Sequence, residues 1–357
     1  MLLVVDRKTS ALSLEGEGLR VSLAAGGFRR IPLNLLSQVV VHGAVPVSCD
    51  VFRALAERGV GAVLLAGRGH KPAAFAGAGL TRFVGWRLRQ FSAFLDVDAH
   101  AMMVRDQLSL KFSVYAEAAL SLQGTVSPVA HAAQCQALDR LAVARDVASM
   151  RGIEGAAAAA WFSALGKVVD PVWGFAGRNR HPPRDPVNSL LSLGYTLATS
   201  TVADEVVIQG LDPALGFLHV PAPNRAALSL DLVEPLRALV DLWVLAQLPQ
   251  YVPAEFSVSE LDGCRLSKDA RGRFYAGWQT ASVSSFGMIR RVLEQERFNV
   301  GQAVDTHDSE NEVFETSLIA ACRLLVARFR HALPADARGL GIACNEISNS
   351  PEVDFID

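Results

Sequence analysis

Short apolar runs rich in β-branched residues open the chain: Leu2 to Val5, Leu19 to Leu23 and Gln38 to Val41, set apart by Gly, Asp and Ser at turn positions. That alternation is the text of strands. Ser48 stands where a cap would start a helix from Cys49 to Arg58 that closes at Gly59, and Gly61 to Leu65 reads as the next strand. Beyond the glycine-rich stretch from Gly67 to Gly79 the apolar period changes to i, i+3, i+4, with Trp86, Arg89, Phe91 and Phe94, then Leu108, Phe112, Tyr115 and Leu120, in step. Asp185 before Pro186 marks the start of a long apolar helix over 186–209, with Gly210 at its end. Another helix is expected from about Glu312 to Ala332. The pattern predicts an α+β chain: a small N-terminal β-rich domain over 1–78, a linker over 79–90 and a larger all-helical domain over 91–357.

Length and composition agree with two domains, since 357 residues at roughly 150 per domain give about two cores. Half the residues are hydrophobic and 20% are charged, which excludes wholesale disorder. The most apolar run, after Gly155, is closed off by Glu154 and Lys167, too short to cross a membrane. The opening MLLVVDRKTS lacks the pattern of a signal peptide, so a cytoplasmic location is expected. Five scattered cysteines with no CxxC pair are expected to be reduced and mostly in the core. A formal charge of -2 gives no overall basic field, so any nucleic-acid partner has to be met by a local patch.

The candidate chemistry lies in three acids and a histidine: Glu154 in RGIEG, His219 in GFLHV, and Asp231 with Glu234 in SLDLVEPLR. Two carboxylates and an imidazole suit a magnesium or manganese ion that acts on phosphodiesters. Asp231 and Glu234 are three apart, so they share a helical face, although Pro235 suggests a helix that begins only near Glu234. Each also has a plainer reading. Glu154 at the start of an alanine-rich helix would favour the helix dipole, as would the other two acids, and His219 fits a satisfied core or strand-end position. In GRNRHPPRDPVNSLLS, Arg178, Arg180 and Arg184 surround a stiff Pro182-Pro183 turn that leads into a helix N-terminus, a loop suited to phosphates or simply a solvated charged loop. Arg265 to Arg273 and the Arg290-Arg291 pair could extend a basic track, while Asp305, Asp308, Glu310 and Glu312 around His307 read as an exposed loop. No Walker-type phosphate loop and no Gly-x-Ser-x-Gly elbow is present.

Taken in order, RGIEG, RNRHPPRDPVNSLLSLGYTL, GLDPALGFLH and SLDLVEPLRALVD resemble the motifs of the CRISPR-associated integrases of spacer acquisition, the Cas one family. The resemblance covers nearly the whole chain. It implies that Glu154, His219 and Glu234 hold Mg2+ or Mn2+, with Asp231 as a nearby second catalytic acid, and that Arg178 and Asn188 contact DNA. A metal-bound His219 needs an acceptor for its other ring nitrogen, and Asp231 is the candidate. Arg180 and Arg184 extend that contact on grounds of charge. The implied reaction is attack by the 3′-hydroxyl of a foreign double-stranded DNA fragment on a phosphodiester at a CRISPR repeat boundary. With water as nucleophile the same site would be an endonuclease. The implied assembly is a homodimer formed through the β domains, within a larger complex with the small companion protein Cas two. The alternative of another class is a non-catalytic DNA-binding scaffold. Substitution of His219 or Glu234 by alanine is expected to abolish strand transfer and leave the fold intact.

Overall fold

The computed structural model describes residues 2–5, 9–36, 38–58, 60–65, 74–76, 84–179, 182–259, 263–296 and 317–335. The N-terminal unit holds two sheets. In the first, β1 (Leu2–Val5) lies parallel to β5 (Gln38–His42), β5 lies parallel to β6 (Gly61–Leu65), and β7 (Ala74–Ala76) closes the edge antiparallel to β6. The second is a meander of β2 (Thr9–Glu15), β3 (Gly18–Leu23) and β4 (Phe28–Pro32). Parallel neighbours need a crossover, and α1 (Cys49–Glu57) supplies it between β5 and β6. Its Val51 and Leu55 join Val5, Val39 and Val41 of one sheet and Leu12, Leu19 and Val21 of the other in a single apolar cluster. The strands read from the sequence are all present; β2 and β7 are additions to that reading, and so is β4. Its FRRIP text, exposed along most of its length, lacks the alternation that reveals a half-buried strand.

The rest of the described residues are mostly helical, as expected. Long helices α2 (Val84–Leu95), α3 (Val97–Ala119), α4 (Val126–Val143), α5 (Val147–Val168), α6 (Pro186–Ile208) and α7 (Ala227–Gln247) are followed by α8 (Lys268–Ser284), α9 (Met288–Gln295) and a last helix, Leu318–Ala332. A hairpin of β8 (Phe256–Ser259) and β9 (Gly263–Leu266) interrupts them, a departure from an all-helical second domain. Asp185 caps α6 by accepting from the Asn188 backbone N–H, and Gly210 follows it at φ 80°, so both ends match the sequence reading. No helix among the described residues is long and apolar enough to cross a membrane. Of the described cysteines, all are free thiols, with Cys264 and Cys322 buried, Cys135 half-buried and Cys49 exposed. Arg180, Cys344, the acidic segment around His307, the 312–316 start of the last helix, and residues 79–83 of the expected linker lie outside the described residues, while 84–90 of that linker form the start of α2.

Helices α6 and α7 form the backdrop of the site and approach closely because Gly194 has no side chain. A Cβ there would sit 2.6 Å from Val240 Cγ1. Gly194→Ala is therefore expected to cost roughly 1–3 kcal/mol of stability, read as a lower denaturation midpoint. An unchanged midpoint would mean that the two helices separate without penalty.

Candidate active site

Three helices deliver the central charges. Glu154 was expected at a helix start, but α5 begins at Val147, capped by Asp146, which places Glu154 two turns inside the helix. The helix-dipole reading of this acid therefore falls away. The expected start of α7 near Glu234 is also corrected: the helix begins at Ala227 and Pro235 lies within it. Proline there removes one i→i−4 bond, the one that the Asp231 carbonyl would have accepted. Asp231 and Glu234 thus occupy successive turns, and both are buried.

Glu154 and Glu234 converge on one cation. The Lys111 ammonium, carried at mid-length on α3, lies 2.5 Å from Glu154 Oε1 and 2.7 Å from Glu234 Oε2. Arg237, one turn further along α7, donates to Glu234 Oε1 at 2.8 Å. Burial by itself would push the Glu234 carboxyl up, but Arg237 and Lys111 outweigh it, with a smaller contribution from His219, and hold it at about 2. Glu234 is therefore an anion across the working pH range, and its side chain is only 6% exposed.

His219 sits on the loop between α6 and α7, and Asp231 shapes that loop. One Asp231 oxygen accepts the backbone N–H groups of Phe217 (2.6 Å) and Leu218 (3.0 Å), and the other accepts the His219 N–H (2.8 Å) and lies 2.7 Å from His219 Nδ1. Each Asp231 oxygen accepts here, so Nδ1 faces it as a donor and Nε2 is the ring nitrogen left for a ligand. From the other side, Arg151 grips the Leu218 carbonyl through Nε and Nη2 at 3.0 and 2.8 Å, and the His100 ring bridges the carbonyls of Phe94 and Phe217. The imidazole is presented by a loop with little freedom.

These donors fit a divalent ion of the magnesium or manganese type: two carboxylates and an imidazole nitrogen, with the second nitrogen tied to an acid. Glu154 and Glu234 already meet at a cation position. Yet among the described residues no three His, Cys, Asp or Glu side chains close on a common ion. Lys111 stands between the two glutamates instead.

The proline loop lies on the other side of Tyr195. Arg178 donates to Asn188 Oδ1 and the Asn179 carbonyl, each at 2.7 Å, and to Ser192 Oγ at 3.1 Å. Its guanidinium covers one approach to the Tyr195 ring at 5.2 Å, and that of Arg237 lies 5.0 Å from the same ring. The Tyr195 hydroxyl donates to Asp241, which also accepts from Trp161 Nε1 at 2.7 Å. Burial dominates at Asp241 and raises its carboxyl to about 6 despite these bonds and the two arginines. Arg178, the Tyr195 ring and Arg237 thus link the loop to Glu234.

Asn188 was expected to touch DNA, and its position argues for a different role. It is fully buried; its amide donates to Gly177 O and Asp185 Oδ2, and its carbonyl accepts from Arg178 and the Asn179 N–H. It holds the loop in shape. Arg184 is exposed, and with Arg178, Lys167, Ser163, Phe175 and Asn179 it lines an open groove of about 760 Å³. The hairpin absent from the sequence reading braces this loop: Cys264 N donates to Pro183 O at 2.6 Å, and Ser189 Oγ donates to Cys264 O. Gly263 is required there, since it has φ 69° and a Cβ would come within 2.4 Å of Pro182. The outlying basic clusters are partly engaged within the chain, Arg273 by Glu255 and Arg290 by Glu294.

Sequence reasoning missed Lys111, Arg237, Tyr195 and Asp241. Lys111 left a signal: a lysine among Leu108, Leu110, Phe112 and Tyr115, on a stretch apolar all round, has to be paired when the helix is buried.

A small β unit followed by a helical unit is a fold shared with solved structures. The structure of a casposase bound to integration product matches with TM-score 0.71 at 18% identity, covering 100% of this chain and 96% of that one. A Cas6-RT-Cas1–Cas2 complex matches with TM-score 0.67 at 20% identity over 88% of this chain and 36% of that one. At the level of sequence, the family model for CRISPR associated protein Cas1 matches residues 3–280, and CRISPR-associated endonuclease Cas1 2 of Rhodospirillum rubrum is 33% identical over 290 residues, 77% of this chain and 84% of the relative. The chain belongs to the Cas1 family, as its motifs suggested.

Proposed function

We propose that this Cas1 protein is a metal-dependent strand-transfer enzyme of CRISPR spacer acquisition. The observation that carries the reading is the convergence of Glu154 and Glu234 on one cation position beside an imidazole whose Nδ1 is fixed by Asp231. In this reading Glu154, His219 and Glu234 hold Mg2+ or Mn2+, which when bound would polarise the phosphoryl group and stabilise the leaving oxygen. The 3′-oxygen of a foreign fragment forms a new bond to phosphorus at the repeat boundary, the old P–O bond breaks, and the leaving 3′-oxygen takes up the proton. Asp231 orients His219, and Arg178, Arg184 and Lys167 draw phosphates along the groove beside α5. The separate apolar core of the N-terminal sheets supports a distinct unit over 1–78, joined through 79–90 to a catalytic unit over 91–357. A homodimer made through the N-terminal β unit, a companion of the Cas two class and double-stranded DNA complete the proposal.

The test is strand transfer by purified protein, with and without the companion, from a labelled 3′-hydroxyl fragment into a repeat-bearing plasmid in manganese. Joined product that vanishes in His219→Ala supports the reading. Cleavage without joining would make the protein a nuclease, and binding alone a scaffold. On the same substrates Arg178→Ala is expected to weaken DNA binding and to flatten its dependence on log salt by about one unit, because each phosphate contact releases about one counterion. An identical slope would limit Arg178 to holding the loop.

A further inference from the structure

The cation between the two glutamates is the chain's own, and strand transfer as proposed gives it no task. Lys111 is 4% exposed, and its ammonium touches an oxygen of each acidic residue assigned to the metal. Two carboxylates from different helices repel strongly in apolar surroundings unless a positive charge lies between them. Arg237 compensates Glu234 from its far oxygen, but among the described residues Lys111 supplies the ion pair of Glu154. An ammonium on a flexible four-carbon stem is a compact point charge that can withdraw, which a forked guanidinium does less readily. The Tyr115 ring, with its centroid 5.5 Å from Nζ, offers a withdrawn ammonium a favourable face.

We propose that Lys111 is a resident counter-cation: it holds Glu154 and Glu234 together in the metal-free protein and is displaced when a divalent cation binds. The inference rests on the assignment of Glu154, His219 and Glu234 to that cation. Lysine and metal then compete for the same carboxylate oxygens, and metal affinity is set by an exchange of cations rather than by the filling of a vacant cage. The same exchange explains why Glu154 and Glu234 meet on a lysine in this structure.

The full chain is compared as wild type, Lys111→Met, Lys111→Met/Glu154→Gln and His219→Ala, by thermal melting in EDTA and in MnCl2 and by calorimetric titration with Mn2+. Without metal, Lys111→Met is expected to melt roughly 5–10 °C lower, because the buried Glu234 and the half-buried Glu154 lose their shared partner. Adding Glu154→Gln should recover part of that loss by removing one of the repelling charges. Mn2+ should raise the melting temperature of Lys111→Met more than that of wild type, and bind it roughly tenfold more tightly, since no lysine has to leave. If Lys111→Met does not fold in EDTA, refolding on addition of Mn2+ or with Glu154→Gln supports the proposal. Mn2+ binding equal to or weaker than wild type, with a stability loss that neither Mn2+ nor Glu154→Gln relieves, would overturn it and make Lys111 a packing residue. Failure of the metal assignment looks different: wild type and His219→Ala would then be alike, with no Mn2+ binding in either, and the competition would fall with it.

Discussion

Glu234→Ala is expected to lose about 3–5 kcal/mol of folding stability together with strand transfer. The expectation from sequence that the fold would survive this change intact is revised by the burial of the site. Lys111 and Arg237 both point their charges at Glu234, from 2.7 and 2.8 Å, and the lysine side chain is 4% exposed against 12% for the arginine. Removing the carboxylate leaves two buried cations with one acid between them. Urea denaturation at neutral pH should show the loss directly, and a change below about 1 kcal/mol would mean that both cations relax into water at little cost.

The pH dependence provides a second check. The Glu234 carboxyl lies at about 2 in the folded protein against an ordinary 4.5. A depressed acid contributes stability that is fully present above its unfolded value and is lost as pH falls through the folded one. The difference between wild type and Glu234→Ala should therefore be widest above pH 4.5 and shrink toward pH 2, by about 3 kcal/mol for a shift of this size. Asp241 runs the other way. Its carboxyl is raised from 3.8 to about 6, so its contribution is present below 3.8 and fades as pH rises through 6. It is common to both proteins and leaves the comparison unaffected to the extent that its surroundings are unchanged.

Where a residue's neighbours in sequence are also its neighbours in space, the sequence was legible. The cap at Asp185, the proline after it and Gly210 at the far end defined α6 to within a residue or two because helix ends are local structures. The pairing of His219 with Asp231 could be anticipated from its motif, twelve residues apart. Pro235 misled, because the rule that proline starts helices is a tendency and the packing of a helix with fifteen buried residues overrides it. The partners of Glu234 were hidden for a different reason. Lys111 lies 123 positions earlier on another helix, and nothing in a local pattern specifies which acid a buried lysine will meet. The β8–β9 hairpin was obscured by its length, four residues per strand, and by a face that is exposed on β8. What tertiary packing decides, local spacing does not show.

Asp231→Asn is expected to lower strand transfer by roughly 10–100-fold, whereas His219→Ala should abolish it while the chain stays folded. The difference follows from what each side chain holds. His219 is 21% exposed, and its ring has Asp231 as its hydrogen-bond partner, so truncation removes a ligand without stranding a buried group. Asp231 has no exposure at its side chain and accepts four N–H groups on two oxygens. Asparagine offers one oxygen and one amide, so whichever way it turns, an NH2 group confronts at least one backbone N–H donor, that of His219 or those of Phe217 and Leu218. Each buried donor left without an acceptor costs about 1–3 kcal/mol, and the loop that presents His219 loosens accordingly. The ring also loses the acceptor that fixes its proton at Nδ1, so Nε2 is no longer reserved for a ligand. Both stability and Mn2+ affinity of the folded protein should therefore fall in Asp231→Asn, while Glu154, on the far side of Lys111, keeps its place. Retention of wild-type transfer and Mn2+ affinity by Asp231→Asn would show that Arg151 and His100 alone suffice to hold the loop, and would leave Asp231 as a structural acid.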